Sequence, residues 1–282
     1  MITNDAFATL SFTGASTAAN ATIKSSGRTI FQDSASGGIA RLIAAQVGST
    51  FAFANSVAVA VGSIEGAGIF EIRGPQLTTG SNNLSTTVSG GIIGTGSLVK
   101  IGSGTLTLSG DSRLLFGTTM VNAGAMIVDG ALGSSLTTAN SGATLGGSGA
   151  VGSTTINTGG TFAPGPSGAP GTMTIRGNLA FQSGALYVVQ VNPSTSSVTN
   201  VSGTAALAGA VQANFAPANV PTRSYTILSA TGGRNGTFDS LTISGLPANF
   251  RASLSSGREG RILDGIPWKR TLRRAMRVRP SI

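Results

Sequence analysis

The chain has 282 residues, including 42 glycines, and it contains neither cysteine nor histidine. These absences exclude disulfides, zinc sites built from cysteine or histidine, and Ser-His-Asp or Cys-His catalysis. Most of the net charge of +9 lies in the C-terminal segment 251–282, so an argument for binding nucleic acid would depend on that segment alone.

The first 64 residues predict β-strands rather than a signal peptide or a membrane helix. Residues 1–10 lack a basic region followed by an apolar run, so we expect no secretory signal peptide there. The segment from Leu42 to Ile64 is free of charge and long enough for a membrane helix. Its alternation of apolar and small or polar residues indicates strands instead.

Short β-rich runs recur along the chain at nearly constant steps. Near the N-terminus, Phe12 aligns with Phe31, and the run from Ala21 aligns with the run from Ala40. Further along, two self-matches extend this pattern at closely similar steps. They are Gly104-Thr105-Leu106 with Gly124-Ala125-Met126, and the Asn-x-Gly sequences that begin at Asn122, Asn140 and Asn157. A weaker match relates Gly184-Ala185-Leu186 to Gly203-Thr204-Ala205.

The period of these matches, roughly 20 residues, is too short for a helix pair or a propeller blade, but it fits one coil of a β-solenoid. Glycine and asparagine supply the corners, and Leu106 and Leu108 are expected to point inward. We therefore predict an all-β fold, a β-solenoid of the right-handed parallel β-helix type, with coils of about 17–25 residues. A β-sandwich or barrel also has short strands, but it would not be expected to keep Asn-x-Gly at coil-length spacing.

The run Leu98 to Gly110, continued by Thr118 to Gly124, resembles the autotransporter-associated β-strand repeat, also called the passenger-associated transport repeat. Residues 94–130 match that repeat best. Gly159 to Gly165 and Ser224 to Leu228 are similar to the C-terminal part of autotransporter passenger domains.

The resemblance implies a right-handed parallel β-helix displayed on the cell surface or outer membrane of a Gram-negative bacterium by type V secretion. The implied partners are an outer-membrane β-barrel translocator and, for adhesion, ligands on a host cell or matrix; nucleic acid is not an expected partner. The residues expected to shape the repeat are Gly104, Leu106, Leu108, Asn122, Gly124, Asn140, Gly142, Asn157 and Gly159.

The predicted organisation has two parts. Residues 1–256 form a β-helical passenger segment, and residues 179–256 resemble the coils that act as a folding core during secretion. The composition then changes abruptly to arginine-rich sequence, and residues 257–282 are expected to be disordered or out of frame, with the chain truncated before the barrel. If this basic tail is genuine, residues 266–279 could form an amphipathic helix. The alternative function is then that of a soluble β-rich binding protein whose tail contacts an anionic membrane or nucleic acid.

Carboxylates are scarce in the body of the chain, which argues against a carbohydrate-cleaving site. Asp111 and Asp129 are separated by nearly one coil of sequence and could stack on adjacent coils, but two turn aspartates that cap backbone amides are the preferred interpretation. Gly-x-Gly sequences lack the lysine and the helix of a phosphate loop. We expect no catalytic residue, cofactor or metal, and hence no enzyme.

Overall fold

The computed structural model describes residues 1–133, 136–216, 224–246, 250–256 and 273–280, the last range by its backbone only. Within these ranges every regular element is a strand, and the parallel strands stack as a β-solenoid of about ten turns. The predicted all-β solenoid is therefore confirmed, while its right-handedness stays a prediction. None of the described residues belongs to a helix with the length and apolar character needed to cross a membrane.

The chain divides into two compact units, residues 1–145 with 149–152 and residues 146–148 with 153–282. The strands up to the division are β1 Ile2–Asn4, β2 Thr9–Phe12, β3 Thr22–Ser25, β4 Arg28–Asp33, β5 Arg41–Ala44, β6 Thr50–Asn55, β7 Val59–Val61, β8 Ser63–Gly66, β9 Ile69–Ile72, β10 Gln76–Thr79, β11 Thr86–Val88, β12 Gly91–Gly94, β13 Ser97–Lys100, β14 Thr105–Leu108, β15 Thr119–Val121, β16 Gly124–Val128, β17 Ala131–Leu132, β18 Thr137–Ala139, β19 Ala143–Gly147 and β20 Ala150–Val151. The strands of the second unit are β21 Thr154–Ile156, β22 Thr161–Pro164, β23 Thr172–Ile175, β24 Leu179–Phe181, β25 Leu186–Val191, β26 Val198–Val201, β27 Ala205–Leu207, β28 Ala210–Phe215, β29 Ser224–Ala230, β30 Arg234–Gly236, β31 Ser240–Ser244, β32 Phe250–Ser256 and β33 Arg273–Pro280.

Three parallel sheets form the faces of the first unit. Face A has the order β1-β3-β5-β8-β11-β14-β16, face B has β2-β4-β6-β9-β12, and face C has β7-β10-β13-β15-β18. One coil contributes one strand to each face, as β8, β9 and β10 do. On face A, Thr22 pairs with Arg41 and Arg41 with Ser63, and on face C Thr119 pairs with Thr137. All three steps fall within the predicted coil length.

The second unit has the same arrangement with longer coils. Its sheets have the orders β22-β25-β28-β31, β21-β24-β27-β30 and β23-β26-β29, with β33 and β32 added antiparallel beside β29. On the first of these sheets Asn214 pairs with Ser244, a step of 30 residues. The predicted upper limit of coil length is therefore too low here, where the strands β28 and β29 have six and seven residues.

Strand register confirms most of the sequence repeats. Phe12 pairs with Phe31, and Leu106 pairs with Met126. The match between the sequences at Gly184 and Gly203 is wrong, because Leu186 pairs with Ala210 while Ala205 lies on another face. The charge-free segment from Leu42 to Ile64 lies in β5 to β8, so the expected strands are confirmed there.

In-register apolar stacks form the core of the first unit. Ile23, Leu42 and Ile64 pair in succession on face A and are fully buried. On face B the ring of Phe31 lies between those of Phe12 and Phe53, with centroids 4.6 and 5.6 Å away. Burial of one such side chain contributes about 1.5–3 kcal/mol, so these stacks hold successive coils together.

Lys100 occupies an inward position on face C. Lys100 is 1% exposed, and its Nζ donates to the carbonyl oxygens of Ile101 at 2.7 Å, Gly102 at 3.0 Å and Ala123 at 3.3 Å. The first two carbonyls belong to the corner that follows β13, and that of Ala123 belongs to the corner that follows β15 on the next coil. The ammonium therefore satisfies acceptors that would otherwise lose their hydrogen bonds on burial.

Burial lowers the pKa of Lys100 below its ordinary value of 10.5. Between the two pKa values the unfolded chain binds more protons than the folded one, so the contribution of Lys100 makes the free energy of unfolding rise with pH up to about 10.5. We expect the Lys100→Met variant to lack this rise. Urea unfolding of the parent and the variant across that pH interval tests the prediction, because the difference between their profiles of unfolding free energy against pH removes the contribution of the other titrating groups. Parallel profiles would contradict it.

Candidate functional site

The structure places the predicted repeat residues at two kinds of position. Leu106 and Leu108 point inward and are 2% and 1% exposed. Gly104 and Gly124 lie where coils approach closely, since a Cβ on Gly104 would be 2.3 Å from the carbonyl oxygen of Leu84. Gly124 also has φ of +63°, which favours glycine.

Asn122, Asn140 and Asn157 lie in the turns that precede β16, β19 and β22. Asn140 Nδ2 donates to Asn122 Oδ1 at 2.6 Å, so this pair joins two coils. Gly142 and Gly159 follow their asparagines with φ of +75°. At Asn157 the backbone carbonyl accepts from Gly160, which closes the turn. The role of these residues in shaping the repeat remains a prediction.

The two aspartates considered for carbohydrate cleavage are out of register. Asp111 pairs with Ala131, and the register of the preceding strand places Asp129 two positions earlier. Asp111 Oδ1 accepts from the backbone N–H of Arg113 at 3.0 Å and also from Nε of the same side chain at 2.9 Å. Asp111 is thus a turn cap held by an ion pair.

Other carboxylates of the body also make structural contacts. Glu65 pairs with Arg41 at 2.6 Å, and Glu71 with Arg73 at 2.7 Å. Asp33 and Asp239 accept backbone N–H groups of glycines on neighbouring coils. Among the described residues, no group of three or more acidic side chains could hold a metal ion.

The corner between faces A and B is the most regular part of the first unit. It is two residues long at 26–27, 67–68 and 89–90, and Gly110, Gly130 and Gly149 lie at the equivalent place, two residues after β14, β16 and β19. Within it, successive glycine backbones pack directly on one another. At four glycines, an added Cβ would lie only 1.6 to 2.0 Å from the carbonyl oxygen of the corresponding glycine on the preceding coil. The successive residues of this column are Gly68, Gly90, Gly110, Gly130 and Gly149. We call these five residues the glycine corner.

Two longer turns interrupt this regularity near the N-terminus. The corner has four residues at 5–8 and five at 45–49, and they flank the short corner Ser26-Gly27. The turns project on both sides of it and enclose a cavity of about 410 Å³, which we call the corner notch. Because the turns belong to coils on either side of a third, their backbones are about 10 Å apart, twice the strand spacing.

The walls of the corner notch carry exposed apolar side chains. Phe7 is fully exposed and Val47 is 86% exposed. Phe7 also has φ of +66°, in the left-handed region that a bulky residue rarely adopts. Such a conformation costs about 1–3 kcal/mol, and residues held in it cluster at binding and active sites.

The floor and rim of the notch are polar. Arg28 lines it with an exposed guanidinium that has no ion-pair partner among the described residues, whereas the side chain of Gln46 donates to the carbonyl oxygen of Ser26 at 3.2 Å. The turn that holds Val47 is fixed from within, since Ser49 Oγ donates to the carbonyl oxygen of Gln46 at 2.7 Å. A small ligand would thus meet two apolar walls and one cation.

Reasoning from the sequence missed this notch. A signal was present in the spacing, because the step from Phe31 to Phe53 is longer than the step from Phe12 to Phe31. The difference equals the change in corner length from 26–27 to 45–49. An uneven step within an otherwise regular repeat therefore locates a projecting turn.

Comparison with known proteins gives one partial match. The adhesin BmaC, an autotransporter of Brucella suis biovar 1 (strain 1330), is 37% identical to this chain over 97 residues. The match covers 31% of the chain but only 3% of that protein's length. No family model matches the chain.

Proposed function

We propose that this chain is a non-enzymatic segment of an autotransporter passenger, displayed on the surface of a Gram-negative bacterium, with a structural and adhesive role. The observation that carries the proposal is a solenoid of parallel coils in a chain that is similar, over part of its length, to an autotransporter adhesin. An outer-membrane barrel translocator and ligands on a host cell or matrix are the partners that follow from it.

The fold supports a presenting role. In a solenoid each coil contacts only its neighbours, so the side chains outside the core remain available along the whole of each face. Projecting turns such as 5–8 and 45–49 add local shape to that surface without disturbing the core. Adhesion by contact requires such a surface and does not require reactive groups.

The use of the carboxylates supports a non-enzymatic role. A glycoside-cleaving site needs two carboxyl groups free to act as acid and as base or nucleophile. Glu65, Glu71 and Asp111 instead form ion pairs with arginines, and Asp33 and Asp239 cap backbone amides.

The coils from 179 to 256 remain our candidate for the folding core during secretion. They contribute Phe181, Tyr187 and Phe238 to a cluster of rings that also includes Phe162, with centroids 5.2 to 5.9 Å apart. Residues 257–272, 281 and 282 lie outside the described residues. The backbone of Arg273–Pro280 is a strand, so the helical interpretation of 266–279 is wrong for that part. That residues 257–282 are disordered or out of frame stays a prediction.

Surface display tests the proposed function. We would fuse the full chain to the translocator barrel of a well-behaved autotransporter and measure protease access on intact cells and adhesion to epithelial cells. We expect a protease-sensitive passenger at the surface and more adhering bacteria than with the barrel alone. Display without any gain in adhesion would contradict the adhesive role, and a passenger retained inside the cell would contradict the passenger assignment.

A further inference from the structure

We propose that the corner notch binds an extended acidic peptide segment, with a carboxylate of the peptide on Arg28 and an apolar side chain between Phe7 and Val47. This inference rests on the proposed function, and it names the class of ligand that one part of the adhesive surface takes. The walls, the floor and the cation all belong to the first unit.

The width of the notch fits one polypeptide strand. The turns at 5–8 and 45–49 stand one coil to either side of Ser26-Gly27, so the space above that corner is one coil thick. A strand laid there would be about 4.8 Å from each wall, the spacing between neighbouring strands in a sheet. The peptide would take the place of the projecting turn that the middle coil does not have.

Backbone groups in the walls can pair with such a strand. Within the described part of the chain, the N–H groups of Phe7, Val47 and Gly48 donate to no acceptor. The floor offers the carbonyl oxygen of Ser26, whose present donor is the exposed side chain of Gln46 and can be exchanged for a peptide N–H. Main-chain pairing supplies affinity and side-chain contacts supply specificity when a peptide adds to an existing fold.

The charge around the notch selects an acidic peptide. Arg41, Arg73 and Arg113 each pair with a carboxylate, whereas Arg28 does not among the described residues. Lys24, on the preceding strand, is also exposed. Asp5 begins the turn at 5–8 but does not line the cavity, so Arg28 is the charged residue of the lining. A guanidinium forms its strongest hydrogen bonds with a carboxylate, so an acidic side chain is the complementary group.

The shape of the walls is already formed in the free protein. The turn at 45–49 is closed by hydrogen bonds from the Ser49 side chain and backbone to Gln46. In the turn at 5–8, Ala8 donates to the carbonyl oxygen of Asp5 at 3.1 Å and Phe7 occupies the left-handed position. Little conformational freedom remains to be lost on binding, which favours affinity. A fully exposed phenylalanine in a strained turn contributes nothing to the core, and a ligand contact explains its placement.

Fluorescence anisotropy with a labelled peptide, acetyl-Thr-Glu-Val-Glu-Val-Thr-amide, and the full chain tests the proposal. We expect binding that weakens as salt rises, and a loss of at least about tenfold in affinity for Arg28→Gln, for Phe7→Asn and for the peptide with glutamine in place of glutamate. Arg176→Gln and Phe116→Asn change an exposed arginine and an exposed phenylalanine elsewhere, and they should leave affinity within about twofold. Phe7→Asn is expected to fold, because asparagine tolerates a positive φ.

Three results would overturn the proposal. They are no binding of the acidic peptide, equal affinity for the glutamine peptide, and equal losses in the control variants. An oligogalacturonate probe that bound through Phe7 and Arg28 while the peptide did not would assign the notch to an acidic glycan instead. The adhesion assay separates this proposal from the proposed function. If displayed Phe7→Asn adheres as well as the parent and neither binds the peptide, the notch is rejected and the proposed function stands. If the displayed parent adheres no better than the barrel alone, the proposed function is rejected.

Discussion

Gly110→Ala is expected to destabilise the first unit by about 3 kcal/mol, at the upper end of the usual cost of overpacking. The new Cβ would lie 1.6 Å from the carbonyl oxygen of Gly90 and 2.5 Å from that of Ser89. Both obstacles are backbone atoms of the adjacent coil, so no rotation of a side chain can relieve the contact. The coils must separate at this corner, which also weakens the in-register stacks beside it.

Gly133→Ala provides the matched control for Gly110→Ala. The three atoms nearest to its Cβ would belong to Arg113, at 3.1 Å or more, and neither glycine has a positive φ. The comparison therefore isolates close packing of the corner from the general cost of replacing glycine. Urea unfolding followed by circular dichroism measures both. Equal midpoints for Gly110→Ala and the parent would contradict the stacked glycine corner.

Phe181→Ala is expected to cost about 3–5 kcal/mol in the second unit, the range for removing a buried aromatic side chain. Phe181 is 3% exposed, and its ring contacts those of Phe162, Tyr187 and Phe238 at 5.9, 5.4 and 5.2 Å. The cavity cannot close easily, because Tyr187 is fixed by its hydroxyl, which donates to the carbonyl oxygen of Ile227 and contacts Thr199.

Phe116→Ala is the control for Phe181→Ala, since Phe116 is 59% exposed and its removal leaves no buried cavity. We expect its unfolding midpoint to stay close to that of the parent. The same pair bears on the proposed folding core. In the display assay, Phe181→Ala should reduce the amount of passenger that reaches the surface, while Phe116→Ala should not. Equal effects of the two variants on stability would contradict the aromatic core.

Much of the fold could be predicted because each coil repeats the same corner chemistry. Gly104 and Gly124 lie two residues before Leu106 and Met126, so their spacing gave the correct pairing of those two residues. The same reasoning failed at Gly184 and Gly203, where the coils are longer than the assumed step. Composition does not reveal that strands such as β28 and β29 extend to six and seven residues.

The candidate site could be predicted only in part. The uneven step between the phenylalanines marks the turn at 45–49, but the turn with Phe7 carries no motif. Lys100 illustrates the same limit. The alternation that begins at Leu98 predicts an inward side chain, whereas the charge of lysine predicts an exposed one, and the side chain is buried. Three corner carbonyls decide the matter, and their position follows only from the assembled coil.

Register between coils underlies the core stacks, the glycine corner and the walls of the notch, and disulfide formation tests it most directly. The parent has no cysteine, so introduced pairs react without competition. Thr87 pairs with Thr107, which in turn pairs with Ile127 two coils away from Thr87. Strands about 4.8 Å apart bring two cysteines within disulfide range, whereas two coils place them about 10 Å apart and out of range.

We predict rapid oxidation of Thr87→Cys/Thr107→Cys and none for Thr87→Cys/Ile127→Cys, read as a mobility shift on non-reducing gels. A disulfide in the second pair, or its absence from the first, would contradict the stacked register on which the account depends.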